Sequence, residues 1–134
     1  MAQSLYTEGK QKIFEATFNW VSDTYQAILL PSAYVFDGTD VFISDLGTIL
    51  ARATLASKTN TDGVLSAANP TFASVASGAT VGSVVYAKNT GADATSPLLF
   101  QDDELAGLPM ATDGGDITIA FSASGVFTID TTME

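Results

Sequence analysis

The sequence predicts a mainly β fold, a β-sandwich of jelly-roll type with one short α-helix near its N-terminus. Turn dipeptides that end in glycine recur from residue 37 to residue 125. Short runs between them are rich in apolar and β-branched side chains, as is typical of strands. Only the first stretch of the chain has helical periodicity. Frequent turns and a lone helix favour a sandwich over an alternating α/β fold.

The helix is predicted over residues 4–16. Leu5, Gly9, Ile13 and Ala16 recur at spacings of four, four and three, and charged or amide side chains fill the other faces. Gly9 costs a helix roughly 1 kcal/mol relative to alanine. Such a cost is usually tolerated where another backbone must come close. We therefore expect the helix to pack on a sheet.

The β-sandwich is predicted over about residues 20–131. The run 81–87 is apolar on both pleat faces and predicts a central strand that is covered on both sides. Alternating apolar residues followed by a turn predict a C-terminal hairpin over residues 116–130. The candidate strands are residues 24–30, 34–36, 41–43, 49–56, 64–67, 72–75, 79–88, 97–101, 116–121 and 126–130.

The size and composition predict a single domain, residues 1–134, that works in an assembly. Two independent cores would leave each half near the lower limit of about 50 residues. Hydrophobic residues make up 46% of the chain and charged residues only 15%. The surface is therefore rich in Ser, Thr, Ala and Gly, which lose little rotamer entropy when an interface forms. Depletion of Lys and Glu is likewise a mark of interface cores.

Charge and composition exclude several function classes. The formal net charge of -10 repels phosphate backbones and anionic headgroups, so we expect no nucleic-acid partner and no membrane partner. The absence of Cys and His excludes thiol chemistry, zinc sites built on those ligands, haem ligation and His-based triads. The chain opens without a basic and apolar leader and has no run of about 18 apolar residues. We therefore expect a soluble intracellular product.

Three acidic clusters are the polar candidates for a site: Asp37 with Asp40, residues 102–104, and Asp113 with Asp116. Acidic residues beside glycine usually form turns, and none of the clusters has the ligand spacing of a Ca²⁺ loop. We interpret them as turn formers, with a hard cation as the alternative. Paired carboxylates also serve glycoside hydrolysis, but a sugar cleft rarely fits so short a chain. We expect no enzyme, no cofactor and no metal.

Most of the aromatic residues are interpreted as core. Trp and Tyr are also the residue types enriched where one protein docks on another. Trp20, Tyr25 and Tyr34 are therefore the candidate interface anchors.

Segments along nearly the whole chain share features with one known group of proteins. These segments are residues 5–10, 22–30, 34–45, 81–88, 90–91, 96–99, 114–119 and 124–127. In them the sequence resembles small virion structural proteins of tailed bacteriophages. The matching positions are a helix glycine, turns and apolar strand residues, so no functional residue carries over.

The resemblance implies a cement or decoration protein that binds the outside of an icosahedral head and bridges capsomers. Known cement proteins include jelly-roll types. The implied partners are the major capsid protein and further copies of this chain, as a dimer or trimer. The implied location is the outer capsid surface of the virion, after synthesis in the host cytoplasm. The net acidity agrees with that location, because packaged DNA would repel the chain.

Two alternatives stay open at this point. One is a neck or tail accessory structural protein. The other is a carbohydrate-binding fibre module, in which Trp20 and the acidic turns would lie together in an exposed pocket.

Overall fold

The computed structural model describes residues 3–61, 63–103, 105, 107–121 and 125–128. Within them the chain is mainly β, with antiparallel sheets and one short α-helix near the N-terminus, as the sequence predicts. The elements are β1 Gln3–Leu5, α1 Thr7–Phe14, β2 Tyr25–Pro31, a 3-10 helix Ile43–Asp45, β3 Ala51–Thr54, β4 Thr59–Thr61, β5 Val64–Ser66, β6 Thr71–Phe72, β7 Thr80–Lys88, β8 Leu98–Asp102, β9 Met110–Ala111, β10 Ile117–Thr118 and β11 Phe127–Thr128.

The largest sheet is built around β7, which confirms the predicted central strand. Its order is β1-β8-β7-β2-β3, and β9 pairs with β7 beyond the end of β8. Val84 and Tyr86 of β7 pack in one hydrophobic core, and Val85 and Ala87 pack in another. Both faces of this strand are therefore covered.

The central sheet separates two hydrophobic cores. Ala27 and Leu29 of β2 face the larger core, and Ile28 and Leu30 face the smaller one, because successive side chains point to opposite faces. Two small sheets, β10-β6 and β11-β5-β4, contribute to the larger core, and the chain from residue 34 to residue 49 covers the smaller. This layering is sandwich-like. The jelly-roll topology and the single domain stay predictions.

The helix packs on β8 through Gly9, as expected. A Cβ atom at this position would lie 2.8 Å from the carbonyl oxygen of Leu99 and 2.9 Å from that of Leu98. The two backbones are therefore in direct contact. Only a residue without a side chain allows this approach.

The helix is shorter than the predicted residues 4–16. Leu5 lies in β1, where it pairs with Phe100 of β8. Ala16 has a φ of 60° and cannot continue a right-handed helix. The apolar stripe extends past the N-terminal end of the helix because Leu5 packs against the larger core from a strand, whereas Ala16 at the other end is exposed.

The predicted C-terminal hairpin is wrong for the described residues. β10 pairs with β6, and β11 pairs with β5, so the two segments belong to different sheets. The amide of Ile119 donates to the carbonyl of Pro70, and that of Val126 donates to the carbonyl of Leu65. Residues 122–124 of the predicted turn, and residues 129–130 at the end of the predicted hairpin, lie outside the described residues. Alternation identifies a strand, but tertiary packing selects its partner.

The remaining differences concern short elements. The candidate strand 34–36 is irregular, and the candidate 41–43 is a single bridge at Phe42 that leads into the 3-10 helix. Strands β1, β4 and β9 are not predicted. All residues of β4 are exposed and polar, so no apolar alternation marks it.

Candidate functional site

The three candidate anchors lie on opposite faces of the central sheet. Trp20 is 5% exposed and Tyr25 is fully buried, with their ring centroids 4.9 Å apart. The indole N–H of Trp20 donates a hydrogen bond of 3.0 Å to the carbonyl of Ser66. Tyr34 is half-buried and packs against the smaller core. Tyr34 thus has the most exposed side chain of the three, and the anchor role stays a prediction.

Asp37, Asp113 and Asp116 form the turns and loop contacts that the sequence predicts, whereas Asp102 of the cluster 102–104 lies buried in strand β8 and is no turn former. The Asp37 carboxylate accepts hydrogen bonds of 2.9 and 2.6 Å from the amide and hydroxyl two residues later, and Asp113 accepts one of 2.9 Å from the amide of Gly115. Asp116 accepts the amide of Ser74 at 2.8 Å and so joins two loops. Among the described residues, no three carboxylates gather in a group that could hold a metal ion.

An apolar cavity of about 150 Å³ lies beside the larger core. Its lining residues are Ile13, Phe18, Trp20, Tyr25, Asn60, Gly63, Leu65, Leu99 and Phe127. Phe14 is 92% exposed and Val21 is 53% exposed, and each follows a lining residue in the chain. We call Ile13, Phe14, Trp20 and Val21 the Phe14 surface. None of the described residues of the acidic clusters lines this cavity, so in the described part of the chain they do not share it with Trp20.

A more polar cleft of about 300 Å³ lies on the other side of the molecule's central sheet, against the segment 31–36. It is lined by Pro31, Ser32, Tyr34, Phe36, Gly82, Ser83, Gln101, Asp103 and Pro109, and we call it the Tyr34 cleft. Two aromatic rings come from the covering segment, whereas Ser83 and Gln101 come from strands β7 and β8. The cleft thus combines apolar rings with polar groups.

Tyr6 holds both rings of the Tyr34 cleft. Its side chain is fully buried, its hydroxyl oxygen is 2.8 Å from that of Tyr34, and its ring centroid is 4.8 Å from that of Phe36. The Tyr34 hydroxyl donates to a carboxylate oxygen of Asp40 at 3.4 Å, so the Tyr6 hydroxyl is the donor to Tyr34. Because each ring has a fixed neighbour, their orientations are set before any ligand arrives.

The ionisation of these groups favours the same arrangement. Burial raises the pKa of Tyr6 well above its ordinary value, and the hydrogen bond with Tyr34 adds to the rise. Burial also raises the pKa of Tyr34. The pKa of Asp40 is raised, first by burial and then by the charge of Asp37. Both hydroxyls therefore keep their protons at neutral pH, and the chain of hydrogen bonds stays intact.

Two buried polar side chains form part of the Tyr34 cleft. Ser83 is 3% exposed and Gln101 is 4% exposed. Neither the hydroxyl nor the carboxamide forms a hydrogen bond with another of the described residues. Neither is among the fully buried polar atoms without a partner, which in the described part of the chain are the hydroxyl oxygens of Tyr25 and Tyr86, so the polar atoms of Ser83 and Gln101 reach the solvent of the cleft. These two side chains therefore mark a place for a polar ligand or for ordered water.

The sequence predicted Tyr34 as an anchor and Asp103 as part of the acidic cluster 102–104, but it did not indicate the other residues of the Tyr34 cleft. Ser83 interrupts the apolar run 81–87, and Gln101 ends the apolar run 97–101. The sequence did contain a signal for these two residues, because each is polar at a position that the strand pattern assigns to the core. Nothing in the sequence, however, indicated that the two residues face one cleft.

Comparisons with known proteins find no match among family models, curated proteins or solved structures. No helix in the described part of the chain has the length and apolar character needed to cross a bilayer.

Proposed function

We propose that this chain is a structural virion protein of a bacteriophage, which binds the outer capsid surface and stabilises it by bridging neighbouring capsomers. The observation that carries the proposal is the Phe14 surface. Phe14 is an almost bare aromatic ring, 92% exposed, and directly follows Ile13, which lines an apolar cavity of about 150 Å³. Aromatic anchors that fill apolar pockets contribute much of the energy of protein interfaces.

The composition of the chain supports an assembly on the outside of a shell. A net charge of -10 would be repelled by packaged DNA, whereas an outer surface presents only solvent and capsid. The exposed strand β4 carries only Thr and Asn, short side chains with little conformational entropy to lose on binding. The resemblance of the sequence to tailed-phage virion proteins supports the same assignment.

A bridging protein stabilises a shell by mass action. Each copy binds the intact lattice and loses its composite site when capsomers separate, so dissociation of the shell must also release the bound copies. Self-association into a dimer or trimer multiplies these contacts. Particles that lack the protein should therefore form with the same geometry but break at lower temperature or osmotic stress.

The test replaces Phe14 with alanine and measures rebinding of the purified protein to heads that lack it. Phe14→Ala should weaken binding at least tenfold, because a central aromatic anchor typically contributes about 2 kcal/mol or more. The Trp20 fluorescence of the Phe14→Ala variant should match that of the parent protein, because an exposed ring contributes little to the stability of the fold. Val35→Ala is the matched control, because Val35 is 82% exposed and lies outside the Phe14 surface.

Electron microscopy of intact particles separates the proposal from its main alternative. If this protein is found only in the neck or tail, and heads that lack it are as resistant to heat and osmotic stress as intact particles, it has an accessory role at those sites instead. Equal rebinding of the parent and Phe14→Ala would instead remove the Phe14 surface from the interface.

A further inference from the structure

We propose that the Tyr34 cleft binds an uncharged pyranose ring, either as a free sugar or as one residue of a glycan. The proposal does not rest on the capsid function, because the cleft and the Phe14 surface share no residue. It starts from the coincidence of two aromatic rings with two polar side chains, Ser83 and Gln101, whose polar atoms reach the same cleft. Ligand sites are typically apolar clefts with a few precisely placed polar groups.

The polar groups of the cleft match the chemistry of sugar hydroxyls. The carboxamide of Gln101 offers both a donor and an acceptor, and the Ser83 hydroxyl offers the same pair. Vicinal hydroxyls of a pyranose are themselves donors and acceptors at neighbouring positions. The side chains of Gln101 and Ser83 have no hydrogen-bond partner among the described residues, and their polar atoms reach the solvent of the cleft, so the hydroxyls of a sugar would replace water as their partners.

The aromatic groups supply a rigid apolar wall. Tyr34 and Phe36 are held by the buried Tyr6 through a hydroxyl contact of 2.8 Å and a ring contact of 4.8 Å. A pyranose presents C–H groups on the faces of its ring, which pack against such a wall while the hydroxyls point to its polar edge. Because the rings need no reordering, little conformational entropy is lost on binding.

The charge and size of the cleft select the ligand. Among the described residues of its lining, Asp103 is the one charged side chain and there is no lysine or arginine, so an anion is disfavoured. The volume of about 300 Å³ lies at the lower end of the range for ligand pockets and suits a single ring. A Cβ atom at Gly82 would lie 2.6 Å from the Cα of Ser32, so strand and covering segment touch and close one end.

The experiment titrates the isotope-labelled protein with the methyl pyranosides of glucose, galactose and mannose and follows its amide signals by NMR. We expect saturable shifts at the residues of the Tyr34 cleft with at least one glycoside, with a Kd on the order of 1 mM for so small a ligand. Methyl glucuronide, which adds a carboxylate to the same ring, should bind at least tenfold more weakly than methyl glucoside. Immobilised glycans distinguish the two sources, because a free-sugar site would not retain them.

Gln101→Met is the decisive variant. Methionine has a similar shape without the carboxamide, so glycoside binding should weaken at least tenfold while the unfolding temperature stays equal or rises. Gln26→Met is the matched control, since Gln26 is also buried, at 6% exposure, but does not line the cleft. It should leave binding unchanged. Asp103→Asn, at an exposed rim position, provides a second test that does not disturb the core.

Two results would overturn the proposal. A cleft that holds water only would give no saturable shift with any of the three glycosides. Binding that is equally tight in Gln101→Met, Asp103→Asn and the parent would place the sugar elsewhere.

Discussion

Replacing Gly9 with alanine measures how closely α1 packs on β8. In an exposed helix this change stabilises by roughly 1 kcal/mol, because alanine is the better helix former. Here the new Cβ would lie 2.8 Å from the Leu99 oxygen and 2.9 Å from the Leu98 oxygen. Ordinary carbon–oxygen contacts are about 3.3–3.6 Å long, so the helix must move outward by about half an ångström.

The free-energy change follows from which partner is able to move. The two oxygens belong to the backbone of β8, which is paired on both sides in the central sheet and cannot yield without disturbing that pairing. Overpacking typically costs about 1–3 kcal/mol, and two backbone contacts place this site near the upper end. After the gain in helix propensity is subtracted, Gly9→Ala should lower the free energy of unfolding by about 2 kcal/mol.

Urea unfolding followed by the fluorescence of Trp20, the single tryptophan, measures this loss. With a slope of about 2 kcal/mol per molar, the midpoint should fall by about 1 M urea. Gly38→Ala is the matched control, because its Cβ would make only an ordinary contact of 3.4 Å with the ring of Phe36. It should change stability by less than about 0.5 kcal/mol. A Gly9→Ala protein as stable as the parent would refute the close packing of helix and strand.

Two further predictions concern the buried tyrosines. Tyr86→Phe should leave the free energy of unfolding unchanged or raise it, because the Tyr86 hydroxyl has no partner among the described residues. Tyr6→Phe should lower the free energy of unfolding by about 1 kcal/mol, because it removes the hydrogen bond to Tyr34. Equal urea midpoints for the two variants would contradict this prediction. Burial raises the pKa of Tyr6, Tyr25 and Tyr86, so the unfolded chain loses these protons first as the pH rises. Stability should be intact below about pH 10 and fall above it by about 1.4 kcal/mol per pH unit for each group. Tyrosinate absorbance should appear together with unfolding as the pH rises. Ionisation of all three tyrosines near the ordinary tyrosine pKa of about 10, in a chain that is still folded, would exclude their burial.

The sequence by itself determined the class of the fold and its most strongly patterned elements. The run 81–87 has apolar residues on both faces of the pleat, and a strand of that kind is stable only when both of its faces are covered. β7 is accordingly the centre of the sheet. Gly9 in an otherwise regular helical stripe likewise indicated a close backbone approach. Both inferences use local patterns whose physical cause is also local.

Tertiary structure alone decided which strands pair and which side chains meet. Residues 116–121 and 126–128 have the alternation of a hairpin, yet each pairs with a different strand from the middle of the chain. The alternation of apolar and polar residues shows only that a strand has one apolar face, and several other strands could cover that face. The choice among them depends on how the whole core packs.

The Tyr34 cleft depends on tertiary structure for the same reason. Tyr34 and Gln101 lie 67 positions apart in the sequence, and only the folding of segment 31–36 over β7 and β8 places them in one cleft. The burial of Trp20 shows the same dependence, because its residue type is compatible with an interface anchor or with the core, and only the fold shows that it packs against Tyr25 at 5% exposure. Residue type determines what a side chain can bind, and the three-dimensional packing determines what it meets.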